Sequence, residues 1–257
     1  MQSLLQDIVI GHVFAFMLIF MRLGMALMIM PGIGDSFVSP QVRLHFALGM
    51  SFVLTPFLAS NLPAIPKDSV DMITLLMSEA FIGVFIGTVM RIMVNALDSA
   101  GSVISIQSGF SNALVFNPAT ASQGSIVGAL YSVTGVTLLF VTNMHHYMLA
   151  SVVDSYAVFP ATGTLIDVAS VYEVIAQTVN TAFKLGVQLA MPFLIVCTLV
   201  QVGFGLLGRL MPQVQIFFLA LPVQILLSLV LLTMTISAGM LFWLASFESG
   251  VSAAFGK

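Results

Sequence analysis

Residues 70–97 read VDMITLLMSEAFIGVFIGTVMRIMVNAL, and this stretch decides the fold class. It is apolar and long enough for a membrane-spanning helix, which needs about 20 residues to cross a hydrocarbon core. It also holds Glu79 and Arg91 well inside the run, where a simple anchor would keep its charges at the ends. An unpaired charge in hydrocarbon is costly, so these side chains must face protein partners or water. Arg22 and Lys184 interrupt two other apolar runs in the same way. The apolar surface is therefore expected to pack against protein at least as much as against lipid.

The rest of the chain is of the same kind. Hydrophobic residues make up 59% of its 257 positions, only 7% are charged, and the mean hydropathy is +1.11. That composition is that of an integral membrane protein, with room for about five to seven spans and no sizeable soluble domain. Six hydrophobic segments are expected, at 10–33, 44–60, 70–97, 122–153, 171–207 and 214–245. Between them lie breakers: Pro31-Gly-Ile-Gly34 with Pro40, Leu62-Pro-Ala-Ile-Pro66, and Phe159-Pro-Ala-Thr-Gly163. Pro192 is expected to kink the long fifth segment. Arg43, Arg91 and Arg209 fall on one side of such a six-span layout and Lys67 and Lys257 on the other, so loop charge sets no orientation. That weak bias fits a chain positioned by its partners, a different span count, or a poorly expressed protein, and the first is favoured. The single Cys197 excludes an intramolecular disulfide and a cysteine metal cage. A net charge of −3 without basic runs argues against nucleic acid. Met1 to Ile10 lacks a basic n-region, so the first segment is expected to remain as a helix.

Several motifs carry a functional and an ordinary reading side by side. Residues 107–124, QSGFSNALVFNPATASQG, are polar and rich in small residues, with Phe110 and Phe116 among them. Irregular backbone at membrane depth survives only inside protein or beside an aqueous cavity. The segment reads as a constriction loop closed by bulky apolar side chains, or else as an extramembrane turn. Met17, Met21, Met25 and Met28 line one helix face, either as a soft seal or as ordinary space-filling. Gly83-Val-Phe-Ile-Gly87 and Gly124-Ser-Ile-Val-Gly128 have the spacing that lets helices approach closely, and imply no particular function. Glu79 and Arg91 are about 18 Å apart along one helix and off the same face, and Arg91 lies two turns from Asp98. Each charge then needs a partner on another helix, another subunit, or water. His145 and His146 are adjacent and project about 100° apart on a helix, which does not suit one metal. No HExxH, phosphate-binding glycine loop or GxSxG elbow occurs, so no catalytic site, cofactor or metal is expected.

Near the C-terminus, Ala190-Met-Pro192 opens an apolar run through Gly203-Phe-Gly205-Leu-Leu-Gly-Arg209. Leu210-Met-Pro212-Gln213 follows, then Phe217 and Pro222. This pattern resembles the FliR family of flagellar type III export-gate proteins and their injectisome counterparts. Leu139-Phe-Val-Thr-Asn143 with His145-His146, Asp154-Ser155 and Phe159-Pro160 resembles a second family stretch, and Gln107, Gly109 and Pro118 fall in the family's central loop. Two departures stand out. Met144 occupies a place where the family often has glycine, so the turn there is expected not to need a positive φ. Asn117 replaces a frequently acidic residue.

The resemblance implies an all-α polytopic membrane protein of about six long helices arranged as hairpins, forming one export-gate domain over 1–257. It implies a subunit of a helical assembly with FliP and FliQ homologues, joined by FlhB, in the bacterial inner membrane at the flagellar basal body. Unfolded flagellar proteins would be the cargo. It places a plug on Gln107, Phe110, Ser111, Phe116, Asn117 and Pro118. Arg209, Pro212, Gln213, Phe217 and Pro222 would fix a hairpin bend. Arg22, Glu79, Arg91, Asp98 and Lys184 would be interior charges or subunit contacts. An independent secondary transporter is the competing reading, but no repeat between halves is evident.

Overall fold

The computed structural model describes residues 2–111, 125–161, 168–211 and 216–255. Among these the chain is helical, with α1 Gln2–Ile29, α2 Pro40–Leu58, a 3₁₀ turn Ala59–Asn61, α3 Ser69–Ser108, α4 Ile126–Val141, α5 Met144–Val158, α6 Val168–Leu210 and α7 Ile216–Phe255. Helix boundaries follow local chemistry. Gly32 takes φ 83° after α1, and its N–H donates to Asp35 Oδ2 at 2.8 Å. Ser39 caps α2 by accepting from the Val42 N–H at 3.4 Å, with Pro40 pre-set in the first turn. Asp71 lies in the first turn of α3, where the helix dipole favours an acid.

The helix count differs from the six expected segments for two reasons. Segment 122–153 is two helices, α4 and α5, bent by 77° at the Thr142–Asn143 break. The turn does use a positive φ, contrary to the expectation from Met144: Asn143 itself adopts φ 59°, which asparagine tolerates better than most side chains. Just beyond it, the His145 and His146 rings lie together, 4.1 Å between centroids, with Phe140 stacked on His145. Second, α2 is not long and apolar enough to cross a membrane, because Gln41, Arg43 and His45 occupy its first turns. Four helices meet that criterion, α1, α3, α6 and α7, or five spans if the bent α4–α5 pair counts as one. Pro192 does not interrupt α6, which continues through it to Leu210.

Helices α3, α6 and α7 have 40, 43 and 40 residues, about 60 Å each, against a hydrocarbon core of about 30 Å. One bilayer crossing uses only half of such a helix.

The chain divides into two compact units, Met1–Ile92 with Phe140–Thr178 and Ser249–Lys257, and Met93–Leu139 with Val179–Glu248. In the first, Leu18, Ile19, Leu23, Ala26 and Leu27 form the fully buried face of α1, continued by Met30 just after it. Ile19 joins Leu58, Tyr156 and Ala161, while Phe14 and Leu18 meet Leu75. Gly83 and Gly87 bring α3 onto the α1 backbone: a Cβ on Gly83 would collide with the Arg22 carbonyl oxygen, and one on Gly87 would lie 2.8 Å from that of Ala26. Met17, Met25 and Met28 are exposed on the opposite side of α1, and Met21 is half-buried.

In the second unit, Gly101 of α3 meets the backbone of Gly128 on α4 with no room for a Cβ. Trp243 of α7 is fully buried and donates its indole N–H to the Met93 carbonyl at 3.0 Å. Only 17% of the apolar window of α6 and 11% of that of α7 is buried by this chain, against 50% for α3. Most of the α6 and α7 surface is thus left for lipid or other protein.

Substituting Gly83→Ala or Gly87→Ala should lower stability by about 1–3 kcal/mol through backbone overlap. Gly49→Ala, where an added Cβ meets nothing within 4 Å, should be neutral or slightly stabilising. Thermal unfolding in detergent checks both, and equal effects at the three sites would contradict the packing described.

Candidate functional site

The end of α3 delivers the first of the expected plug residues. Gly109 adopts φ 82° and turns the chain out of the helix, a conformation that other residues take only with strain. Its N–H returns to the Ile106 carbonyl at 3.3 Å, and the Ser111 N–H to that of Ser105 at 3.3 Å. Gln107 Nε2 donates to Thr198 Oγ1 of α6 at 3.0 Å, while the Gln107 carbonyl accepts from Gln224 Nε2 of α7. Gln107, Phe110 and Ser111 are all half-buried. On the far side, Ser125 caps α4 by accepting from the Gly128 N–H at 2.9 Å and donates to the Gly101 carbonyl of α3 at 3.0 Å. The Ser105 and Ser125 hydroxyls meet at 2.7 Å. The chain therefore leaves and rejoins α3 at one place. Phe116, Asn117 and Pro118 lie outside the described residues.

Three of the five expected interior charges, Arg22, Glu79 and Arg91, find partners within the first unit. Arg22 of α1 grips Glu79 of α3 with Nε to Oε2 at 2.6 Å and Nη2 to Oε1 at 2.8 Å, and neither side chain is exposed. The same guanidinium donates to Ser155 Oγ at 3.1 Å and to the Phe159 carbonyl at 2.9 Å, and lies over the Tyr156 ring at 3.7 Å. A bidentate arginine–carboxylate pair with further hydrogen bonds is the arrangement that tolerates burial best. Such a pair can hold helices together but presents no group to a passing chain or proton.

Arg91 reaches Asp35 in the connection after α1, where Arg43 also donates to the Asp35 carbonyl at 2.6 Å and to that of Val38. Two arginines thus fix the Pro31–Val38 connection. Asp98 and Lys184 are exposed on this chain, on α3 and α6. Arg209 is exposed in the last turn of α6, where a cation suits the helix dipole. Pro222 is exposed within α7. Pro212 and Gln213 are outside the described residues, as is the side chain of Phe217, whose backbone belongs to α7.

Sequence reading missed Thr198, Gln224 and the part played by Ser155. A lone amide in an apolar run was the available signal for Gln224, since a buried amide requires a partner. Ser155 had no local signal, because its partner is 133 residues away.

Residues 13–250 match the family described as bacterial export proteins, family 1. The flagellar biosynthetic protein FliR of Caulobacter vibrioides is 36% identical over 232 residues, 90% of this chain and 92% of that protein. The protein of the same name from Bacillus subtilis is 29% identical, covering 87% of this chain and 86% of its own length. That of Escherichia coli is 24% identical, covering 76% and 74%.

Removing one partner of the buried pair, as in Arg22→Met or Glu79→Leu, should cost about 3–5 kcal/mol, with much of it recovered in the double variant. A thermal-unfolding double-mutant cycle measures the coupling. Additive single effects would mean that the pair does not act as a unit.

Proposed function

The chain belongs to the FliR family of bacterial export proteins, and on that premise we propose that it is a core subunit of a flagellar export gate. With FliP and FliQ homologues, and with FlhB attached, it forms a channel in the bacterial inner membrane at the flagellar basal body. Unfolded flagellar proteins leave the cytoplasm through it. The observation that carries this reading is the match along residues 13–250, with relatives that share nearly the whole length. Those relatives are named as flagellar proteins, which favours the flagellum over an injectisome.

The geometry supports a subunit rather than a self-contained carrier. Of the two charges that a carrier would use for coupling, Glu79 and Lys184, the first is neutralised by Arg22 and the second is exposed on this chain. The apolar faces of α6 and α7 are left open, with Lys184 exposed among them. An exposed cation on such a face is tolerated where another protein or water meets it.

Within the gate, residues 107–124 act as part of the plug. A constriction that must close on varied unfolded chains cannot rely on specific hydrogen bonds, and it closes instead by excluding water with bulky apolar side chains. Phe110, carried on the anchored end of α3, is well suited to that role.

Shortening the 107–124 loop should raise small-ion leak across the inner membrane while the complex still assembles. Unchanged leak in an assembled complex would sink the plug assignment. Native mass of the detergent-purified chain, expressed with and without FliP and FliQ homologues, tests the subunit reading. A hetero-oligomer is expected on co-expression, whereas a monomer that ignores both would overturn it.

A further inference from the structure

At the end of α3, Ser108 and Gly109 are buried and Gln107 half-buried, and the last carbonyls of any helix lack intrahelical donors. At this end the local chain supplies two of the missing partners, as the Ser111 N–H serves Ser105 and the Gly109 N–H serves Ile106. For the carbonyl of Gln107 the donor comes from a different helix. It is the side-chain amide of Gln224, from α7, 117 residues further along the chain. Gln224 is only 6% exposed and sits in the run Ile216–Leu232, where it and Ser228 are the only non-apolar side chains besides Pro222. A buried amide that lost its partner would carry the full desolvation cost, so the contact is enforced from both sides. Meanwhile the Gln107 amide crosses to Thr198 on α6. One residue, Gln107, is thereby held by α6 through its side chain and by α7 through its backbone.

We propose that Gln224 is the positioning residue for the constriction, a cap supplied by α7 that fixes the end of α3 and so sets where Phe110 and Ser111 stand. The inference rests on the plug reading above and deepens it. Because the cap comes from α7 and not from α3 itself, any displacement of α7 relative to the end of α3 breaks it. The weakly covered helix α7 is then the element through which contacts with neighbouring subunits reach the constriction. Gln224 touches no cargo and acts only through Gln107.

Three variants in the full complex test this. Gln224→Met keeps size and shape but removes the donor, and Thr198→Val removes the partner of the Gln107 amide. Gln224→Glu replaces the donor by a group that donates only when protonated. Since Cys197 is buried, Ser111→Cys supplies the accessible thiol of this chain, and its labelling by a soluble maleimide, read on this chain, reports the position of the α3 end. Gln224→Met should raise both that rate and the ion leak by about two- to tenfold, the range set by loss of one hydrogen bond. Thr198→Val should raise them less, because it leaves the Gln224 cap in place. With Gln224→Glu the ratio of its rate to that of the wild-type background at the same pH should fall towards one as the pH is lowered, a response that simple misfolding does not give; the ratio is needed because every thiolate reacts more slowly at lower pH. A labelling rate unchanged in Gln224→Met would overturn the proposal. Raised labelling without raised leak, in a complex whose leak does respond to loop shortening, would also overturn it, since the α3 end would then move without affecting the constriction. If loop shortening leaves the leak unchanged, the plug reading fails, and the labelling rate still decides whether Gln224 positions the α3 end.

Discussion

Arg22 and Glu79 meet through two N–H···O contacts of 2.6 and 2.8 Å in a place with no exposed surface. Charges so placed must neutralise each other, and their helices must come close enough to allow it. Glu79, Gly83 and Gly87 lie one turn apart on a single face of α3, and Arg22 and Ala26 occupy the facing side of α1. The glycines remove the Cβ atoms that would hold the backbones apart, and the ion pair lies at one end of the seam they create. The remaining guanidinium N–H groups draw in the end of α5 through Ser155 and Phe159. Phe85 then fills the space between Phe159 and Phe255, edge-on to both. Much of the first unit is organised around the need to satisfy one arginine.

The same requirement shapes the second unit at the level of the backbone. Where α3 ends and α4 begins, polar groups cannot be left bare, and they are met by Gly109, Ser125, Thr198 and Gln224. Close approach at Gly101 and Gly128 puts the start of α4 against α3, so the two ends of the intervening segment are pinned together. By contrast, α6 and α7 show long rows of exposed Leu, Val, Ile and Met. The polar groups at these two places are paired, whereas the apolar faces of α6 and α7 are left uncovered by this chain.

Much of this was legible in the chain. The apolar segments and the need of Glu79 and Arg22 each for some partner follow from the cost of polar groups in hydrocarbon, and the close helix approach at 83–87 from its glycine spacing. The segment beginning at Gln107 was also visible, because its polarity contrasts with its flanks. Other features were not. The bend at Asn143 was hidden because asparagine reaches positive φ without glycine's signature. Arg91 offered no clue to Asp35, which lies 56 positions away in a connection between helices. Gln224 is one amide in an otherwise apolar run, and nothing near it in sequence points to Gln107, 117 positions away.

The sequence by itself determined the class: helices, because only helices or closed barrels satisfy every backbone group in lipid, and the runs are too long and too uniformly apolar for barrel strands. It also determined the family, through a pattern of residues along nearly the full length. Tertiary structure alone decided which charge meets which, whether Lys184 faces inward or outward, and which helix caps the end of α3. Those are properties of side chains brought together across 57, 117 or 133 positions, and helical periodicity specifies a face without naming what lies opposite it.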